Sequence, residues 1–219
     1  MGIFVGASLT LPTTIERYSL GDPALDESSF GMLPGITGGT EINLILGKKL
    51  ELSIGLQYSL TRFSYSATPL PYTSYSYTEN QHQVLLPLSL LFKFPSNDRK
   101  MSYYLRAGAA PSYLIHATGD GNRSSEAVQD DIAVESQELL DSRMAFNLDA
   151  FLGWGFRVSF DNSFFFGELR LSSRVLQANI ESERYQNNDL NWTLYHVDSD
   201  FRIYQGTFCV GMCWNLSKK

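Results

Sequence analysis

Cysteine, histidine and charged residues are scarce in this chain. Its 219 residues include two cysteines and three histidines, and charged residues make up 18%, against roughly 25% in an average soluble domain. Cys209 and Cys213 lie four residues apart on one predicted strand, so their Cα atoms would be roughly 13 Å apart, beyond disulfide reach. No cluster of histidine and cysteine with metal-ligand spacing accompanies them. The sequence therefore predicts no disulfide, no metal site and no cofactor.

Clusters of lysine and arginine are missing as well. The net charge is −6, which argues against a nucleic-acid partner, since such partners are recognised by clustered basic residues. No run of 18 apolar residues occurs, so no transmembrane helix is expected; the longest apolar stretch, residues 84–94, is interrupted by Pro87, Ser89 and Lys93. The start at Met1 lacks the basic residues and cleavage site of a secretory leader, so we expect that a leader has been removed.

What the chain does contain is an alternation of apolar and polar residues with a period of two. In residues 50–61 every even position is apolar and every odd position is polar or glycine. Residues 144–160 repeat the pattern, again with apolar side chains at the even positions. Because successive side chains of a strand point to opposite faces, this pattern predicts strands with one apolar and one polar face.

The alternation recurs about eight times and predicts strands at residues 2–11, 35–46, 50–61, 81–94, 101–116, 144–160, 164–177 and 201–216. Short turns at 47–49, 95–100 and 161–163 alternate with long polar segments at 12–34, 66–80, 117–142 and 178–200. This layout is typical of bacterial outer-membrane barrels. We predict an all-β fold with one domain, residues 1–219. It would be an eight-stranded antiparallel up-and-down transmembrane β-barrel with four long outer loops and three short periplasmic turns.

Charge follows the same division. Seventeen of the 23 acidic residues lie in the four long segments, together with only three arginines. Lysines and arginines concentrate in the short turns and at the C-terminal end. The two ends of the predicted barrel are therefore expected to face different environments.

The polar strand faces carry four acidic and four basic residues, which we expect to form an ion-pair network in the barrel lumen: Glu41, Glu51, Asp149, Glu168, Arg106, Arg157, Arg170 and Arg174. Buried charges must be paired, because isolated ones are too costly. The large apolar side chains of the other face would overfill so narrow a barrel, and we expect them to contact lipid. A water-soluble carrier would instead place them inside.

Three segments carry a resemblance to a known family. They are residues 83–94 (QVLLPLSLLFKF), residues 103–113 (YYLRAGAAPSY), and residues 164–171 (FFFGELRL) followed by 176–180 (LQANI). They resemble strands of the outer-membrane β-barrel domain family that contains the PorT-like proteins. Arg174 stands where that family often has glycine. The resemblance implies an eight-stranded barrel in the outer membrane of Bacteroidota-type bacteria and does not imply a single activity.

The long segments are the best candidates for a contact surface. We predict that its members are Tyr72, Tyr75, Tyr77, Asp130, Asp131 and Glu135. Residues 126–140 carry apolar residues near helical spacing and predict a short helix. The clustered carboxylates are candidates for binding divalent cations or cation-linked lipopolysaccharide, and the alternative is a solvated loop kept extended by charge repulsion.

We expect a non-enzymatic barrel that serves as a structural or accessory subunit of a larger envelope complex for secretion, assembly or uptake. Its other partners would be outer-membrane lipid and lipopolysaccharide. One alternative is a lipid-modifying or proteolytic barrel enzyme that uses His82, His116 and His196 at the outer rim. The other is a small-solute channel, although eight strands leave little room for one.

Overall fold

The computed structural model describes residues 1–16, 28–70, 72–94, 100–125, 130–181 and 199–214, and these are almost entirely β-structure. The strands are β1 (Gly2–Glu16), β2 (Ser29–Ile45), β3 (Leu50–Leu70), β4 (Thr73–Leu85), β5 (Leu88–Phe94), β6 (Met101–Ser125), β7 (Asp130–Glu138), β8 (Phe146–Ser159), β9 (Ser163–Arg174) and β10 (Asp200–Trp214). A 3₁₀ turn spans Leu140–Ser142. In the described part of the chain, no helix has the length and apolar character needed to cross a membrane.

Eight antiparallel strands close into a ring. β1 pairs with both β2 and β10, and the ring continues from β10 through β9, β8 and β6. β4 and β5 together form one strand of the wall, since both lie between β3 and β6. Their break falls at Pro87, which has no backbone N–H to contribute to a ladder. The predicted eight-stranded antiparallel barrel is confirmed.

The two ends of the barrel differ as predicted. Short connections join β2 to β3, β5 to β6 and β8 to β9 at one end, called here the turn end. Both termini of the wall meet there, where the backbone N–H of Trp214 donates to the carbonyl of Met1 (2.7 Å). The longer connections lie at the opposite end, called here the loop end.

At the loop end, three strands extend well past their predicted limits. β3 continues to Leu70, β4 begins at Thr73 and β6 continues to Ser125. β7 pairs with β6, so the helix predicted within residues 126–140 is wrong where the structure describes it. Residues 62–70 of β3, 73–80 of β4, 117–125 of β6 and β7 are called here the protruding sheet. Their alternating aromatic and hydroxyl side chains favour an extended backbone.

The outer wall between the two ends is apolar. Leu56 and Phe146 are more than half exposed, and so are Val5, Leu152 and Trp154 on neighbouring strands. The polar side chains of the same strands point inward. Two-faced strands with this orientation suit a barrel surrounded by hydrocarbon, which requires no interlocking between side chains on its surface.

Candidate functional site

The centre of the barrel is occupied by one arginine held between two carboxylates. Arg106 on β6 lies 3.0 Å from Glu41 on β2 and 3.1 Å from Glu168 on β9, measured between the charged atoms. Arg170 pairs with the second oxygen of Glu168 at 2.8 Å, and the Tyr104 hydroxyl donates to Glu168 Oε2 at 2.8 Å. All five side chains are buried. Because three strands contribute (β2, β6 and β9), this group ties opposite sides of the barrel together.

A second group of charges lies nearer the turn end. Glu51 on β3 accepts a hydrogen bond from Lys93 at 2.7 Å and another from Arg157 on β8. The Arg157 guanidinium also lies over the rings of Tyr104 and Phe164, at 4.9 and 4.4 Å from their centroids. Cation–π contacts of this kind stabilise a guanidinium that has lost its water.

Towards the loop end the network continues through amides. Arg174 lies 3.5 Å from Asp149 and donates to Gln81 (3.1 Å) and Gln83 (2.6 Å). The structure therefore places all eight charged residues of the predicted lumen network on the inner wall. It joins them in three groups: Glu41, Arg106, Glu168 and Arg170; Glu51 and Arg157; Asp149 and Arg174.

One buried pair was missed by the sequence analysis. Arg143 donates to both carboxylate oxygens of Glu79 at 2.8 Å, and both side chains are buried. We predicted Glu79 to be in an outer loop, but it shares the inward face of β4 with Gln81 and Gln83. The three residues are spaced two apart along the strand and so point to the same side, and this spacing is the signal that could have identified Glu79 as an inward residue. Arg143 follows the 3₁₀ turn rather than lying on a strand, so no strand periodicity points to it.

On the loop-end side of the charged network, aromatic side chains fill the interior. Tyr65, Tyr75 and Tyr77 pack with Leu114, Ala117, Val134 and Leu139, and Phe63 packs with Phe201 and Ile203; Phe30 contacts both groups. The Phe63 and Phe201 rings lie 5.5 Å apart, and those of Phe30 and Tyr65 lie 4.9 Å apart. These residues are called here the aromatic plug.

The aromatic plug corrects the predicted contact surface. Tyr75 and Tyr77 are only 5% and 3% exposed, because the strand extensions turn them into the interior. Tyr72, in the β3–β4 turn, is 72% exposed, and Asp131 is exposed on β7. Asp130 and Glu135 also lie in β7, but their side chains are outside the described residues.

A small cavity lies in the described interior between the network and the aromatic plug. A cavity of about 10 Å³ is lined by side chains that include Ser59, Gln83, Asp149, Arg174 and Gln205. Such a space holds about one water molecule. At this level of the barrel, buried polar side chains fill the described part of the lumen.

The outer face of the protruding sheet carries small polar side chains. Ser66, Ser76, Asn122, Ser124 and Asp131 are exposed there. They border two shallow depressions of about 480 and 560 Å³ that share Ser76, Asn122 and Ala133. The arrangement is a stiff surface of hydroxyl, amide and carboxylate groups, backed by the aromatic plug.

The cysteines and histidines occupy different faces of the wall. Cys209 and Cys213 are buried on the inner face and are free, as predicted. His82 and His116 lie opposite each other on β4 and β6, on the outer face, and His196 lies outside the described residues. In the part of the chain that the structure describes, no three His, Cys, Asp or Glu side chains are grouped as a metal site.

Comparison with known proteins agrees with this architecture. Residues 4–199 match the family model described as outer membrane protein beta-barrel domain. No curated protein matches the chain significantly.

Solved barrels align over nearly the whole chain at low identity. The outer membrane protein OprG of Pseudomonas aeruginosa is 8% identical (TM-score 0.41) over 96% of this chain and 93% of its own. Neisserial surface protein A is 11% identical (TM-score 0.33), with coverage of 96% and 94%. CarO of Acinetobacter baumannii is 17% identical (TM-score 0.32), with coverage of 95% and 97%.

Proposed function

The chain belongs to the outer membrane protein β-barrel domain family, and from that premise we propose that it is a closed, non-enzymatic barrel that docks an envelope protein through its protruding sheet. The cell outer membrane is therefore its location. The apolar wall would contact lipid, and the protruding sheet would stand among the sugars of lipopolysaccharide. The observation that carries the proposal is the filled interior combined with a stiff extension at the loop end.

The filled interior supports an anchor rather than a channel. Arg106, Glu41 and Glu168 bridge the lumen with contacts of 3.0–3.1 Å, and the aromatic plug covers them on the loop side. Opening a passage would separate buried charges, and removing one partner from such a pair typically costs about 3–5 kcal/mol. This cost makes a resting open state unfavourable.

The protruding sheet supports a docking role. Its inner face is packed, so its outer face is held in one shape before any partner arrives. A preorganised surface loses less conformational entropy on binding than a mobile loop does. Its exposed serines, Asn122 and Asp131 offer hydrogen-bonding groups spaced by the strand ladder.

The contacts of His82 and His116 support the non-enzymatic part of the proposal. Nucleophilic catalysis requires a nucleophile within hydrogen-bond reach of its base. The described partner of His82 is the Tyr58 phenol, and that of His116 is the Glu138 carboxylate. An assay of phospholipid and peptide hydrolysis should show no turnover by the purified protein. Turnover that is lost on changing His116→Ala or His196→Ala would favour the enzyme instead.

Site-specific photo-crosslinking in intact cells tests the docking role. A crosslinker at Ser76, at the centre of the outer face, should capture one envelope protein, and the adduct should disappear when Asn122→Arg is added. A crosslinker at Leu152, exposed on the apolar wall, should capture lipid and serves as the matched control. Lys48→Glu at the turn end should leave the Ser76 adduct unchanged.

Two results would contradict the proposal. One is a stable open conductance of the parent protein in planar bilayers. The other is an absence of any protein adduct from Ser76 in cells that express the folded barrel at its native level.

A further inference from the structure

Two histidines face each other on the outer wall at the level where the apolar surface ends. His82 on β4 and His116 on β6 are cross-strand partners, and their ring centroids lie 5.5 Å apart. The outward apolar residues of this part of the wall begin directly below His82, with Val84 on β4 and Leu86 in the break between β4 and β5. The docking role proposed above uses neither imidazole ring.

A β-bulge brings His116 to the outside. The pairing of β4 with β6 shifts between His82/His116 and Gln83/Leu114, which leaves Ile115 without a partner of its own on β4. As a result Ile115 and His116 are both exposed in succession, while Leu114 and Ala117 on either side are buried. Without the bulge His116 would share the inward parity of Leu114 and enter the aromatic plug. Bulges of this kind re-aim a side chain at functional positions.

Each imidazole has an oxygen neighbour at its Nδ1 atom. His82 Nδ1 lies 2.6 Å from the Tyr58 hydroxyl, and His116 Nδ1 lies 4.0 Å from a carboxylate oxygen of Glu138. When Nδ1 carries the ring proton and directs it to such an oxygen, Nε2 is left as a ligand, which is the usual arrangement around metal-binding histidines. On both rings the oxygen neighbour lies on the Nδ1 side, so Nε2 is the nitrogen that a metal ion would use.

The spacing of the rings suits a shared ion. A metal bound at about 2.1 Å from an imidazole nitrogen lies roughly 3.2 Å from the ring centre. Two rings that share one ion at an angle between tetrahedral and trigonal then have centres about 5.2–5.5 Å apart. The observed 5.5 Å falls at the upper end of this range.

We propose that His82 and His116 bind one divalent transition-metal ion at the outer surface of the barrel, with water completing its coordination. Tyr58 is a positioning residue that orients the His82 ring through its hydroxyl. Neutral imidazole nitrogen is a ligand for Cu²⁺, Ni²⁺ and Zn²⁺ rather than for Mg²⁺ or Ca²⁺, and affinity at such a site is expected to be highest for Cu²⁺. Arg62 lies on the loop-end side of this pair, and its Nε donates a hydrogen bond to Asn80 Oδ1 at 2.8 Å.

Titration with Cu²⁺ alone tests the proposal. The full chain, without a polyhistidine tag, is folded in detergent micelles and followed by calorimetry and by electron paramagnetic resonance. We expect one strong site per chain whose spectrum shows coupling to two imidazole nitrogens. H82Q and H116Q should each weaken binding at least tenfold, and Y58F should weaken it several-fold. N80A, a polar outward neighbour on the same strand, is the matched control and should bind as the parent does.

Glutamine replaces each histidine so that the outer wall keeps a polar side chain at that position. Folding of every variant is checked by its heat-dependent migration on gels. Cu²⁺ binding by H82Q or H116Q with parental affinity and parental nitrogen coupling would overturn the proposal, as would preferential binding of Mg²⁺. The Ser76 crosslink should persist in both variants, which separates failure of this site from failure of the docking role.

Discussion

The apolar face of the strands changes at the level of His82. Between the turn end and this level the apolar side chains face outward, and between this level and the loop end they face inward. On β3 between the turn end and Tyr58, the inward residues include Glu51 and Gln57, and the outward residues include Leu56. Beyond Arg62, the inward residues are Phe63 and Tyr65, and Ser66 is exposed on the outer face. The period of two continues without interruption, but the apolar face changes sides.

This inversion follows from the two solvents. Where the wall is surrounded by hydrocarbon, apolar side chains cost nothing outside, and the narrow interior receives polar groups that must satisfy one another. Where the wall is surrounded by water, burial of apolar surface again favours the inside. The interior on the turn-end side, called here the lower core, is therefore held by directional ion pairs. The interior on the loop-end side, the upper core, is held by aromatic packing. These two kinds of core should respond differently to substitution.

Removing the central arginine should have the largest effect. Arg106→Leu would leave Glu41 buried without its cation and would take one of two arginines from Glu168. We expect the free energy of unfolding to fall by about 4 kcal/mol, because a buried charge loses its partner. Urea unfolding in lipid vesicles, followed by tryptophan fluorescence, measures the change.

Lys93→Ala provides the control for Arg106→Leu. Lys93 is partly exposed, and its partner Glu51 keeps Arg157, so a loss under about 1 kcal/mol is expected. Equal losses for the two variants would show that burial does not set the strength of the lower core. Single-channel conductance should remain absent in both.

The aromatic plug should respond to lost volume rather than to lost charge. Phe63 is fully buried against Phe201 and Phe30, and Phe63→Ala should lower the free energy of unfolding by about 3 kcal/mol. Phe63→Leu keeps most of the volume and should cost less than about 1.5 kcal/mol. Hydrogen exchange should accelerate in the protruding sheet and not around Arg106. Uniform acceleration along β3 would contradict the separation into two cores.

A methyl group placed in the lower core should have an intermediate effect. At Gly155 a Cβ would lie 2.5 Å from Tyr104 Cζ and 2.6 Å from the carbonyl oxygen of Gly167. Gly155→Ala should therefore lower the free energy of unfolding by about 2 kcal/mol, since a side chain and a strand must both move. At Gly38 the nearest atom would be 3.4 Å away, and Gly38→Ala should be nearly neutral. Thermal unfolding of the two variants, measured side by side, tests whether Gly155→Ala loses more stability than Gly38→Ala.

The sequence predicts the strands correctly where their apolar side chains face outward, and it fails to predict the parts of the strands whose apolar side chains face inward. The strand limits at the turn end and the inward position of Arg106, Glu168 and their partners follow from simple alternation. Tyr75 and Tyr77 were assigned to a loop because the apolar outer face stops near residue 61. The alternation of aromatic and hydroxyl residues continues there with reversed sign, so the longer strands could have been recognised.

Other features depend on three-dimensional contacts that periodicity does not encode. Arg143 enters the lumen from a segment outside the strands, and its direction is set by Glu79 and by the ring of Phe201. The outward position of His116 depends on a shift of one residue between β4 and β6. Both require knowledge of which residues pair across the wall.

The smallest effect is expected at the exposed tip of the protruding sheet. Tyr72 has a φ of 64°, a left-handed conformation that costs residues other than glycine about 1–2 kcal/mol. Tyr72→Gly removes this cost but gives the unfolded chain more freedom, worth about 0.5–1 kcal/mol in the opposite direction. The free energy of unfolding should therefore rise by about 0.5 kcal/mol relative to Tyr72→Ala, which loses the same exposed ring and keeps the backbone cost. If glycine is the less stable of the two in paired urea titrations, the turn contributes no strain to the protruding sheet, and its stiffness depends on the aromatic plug alone.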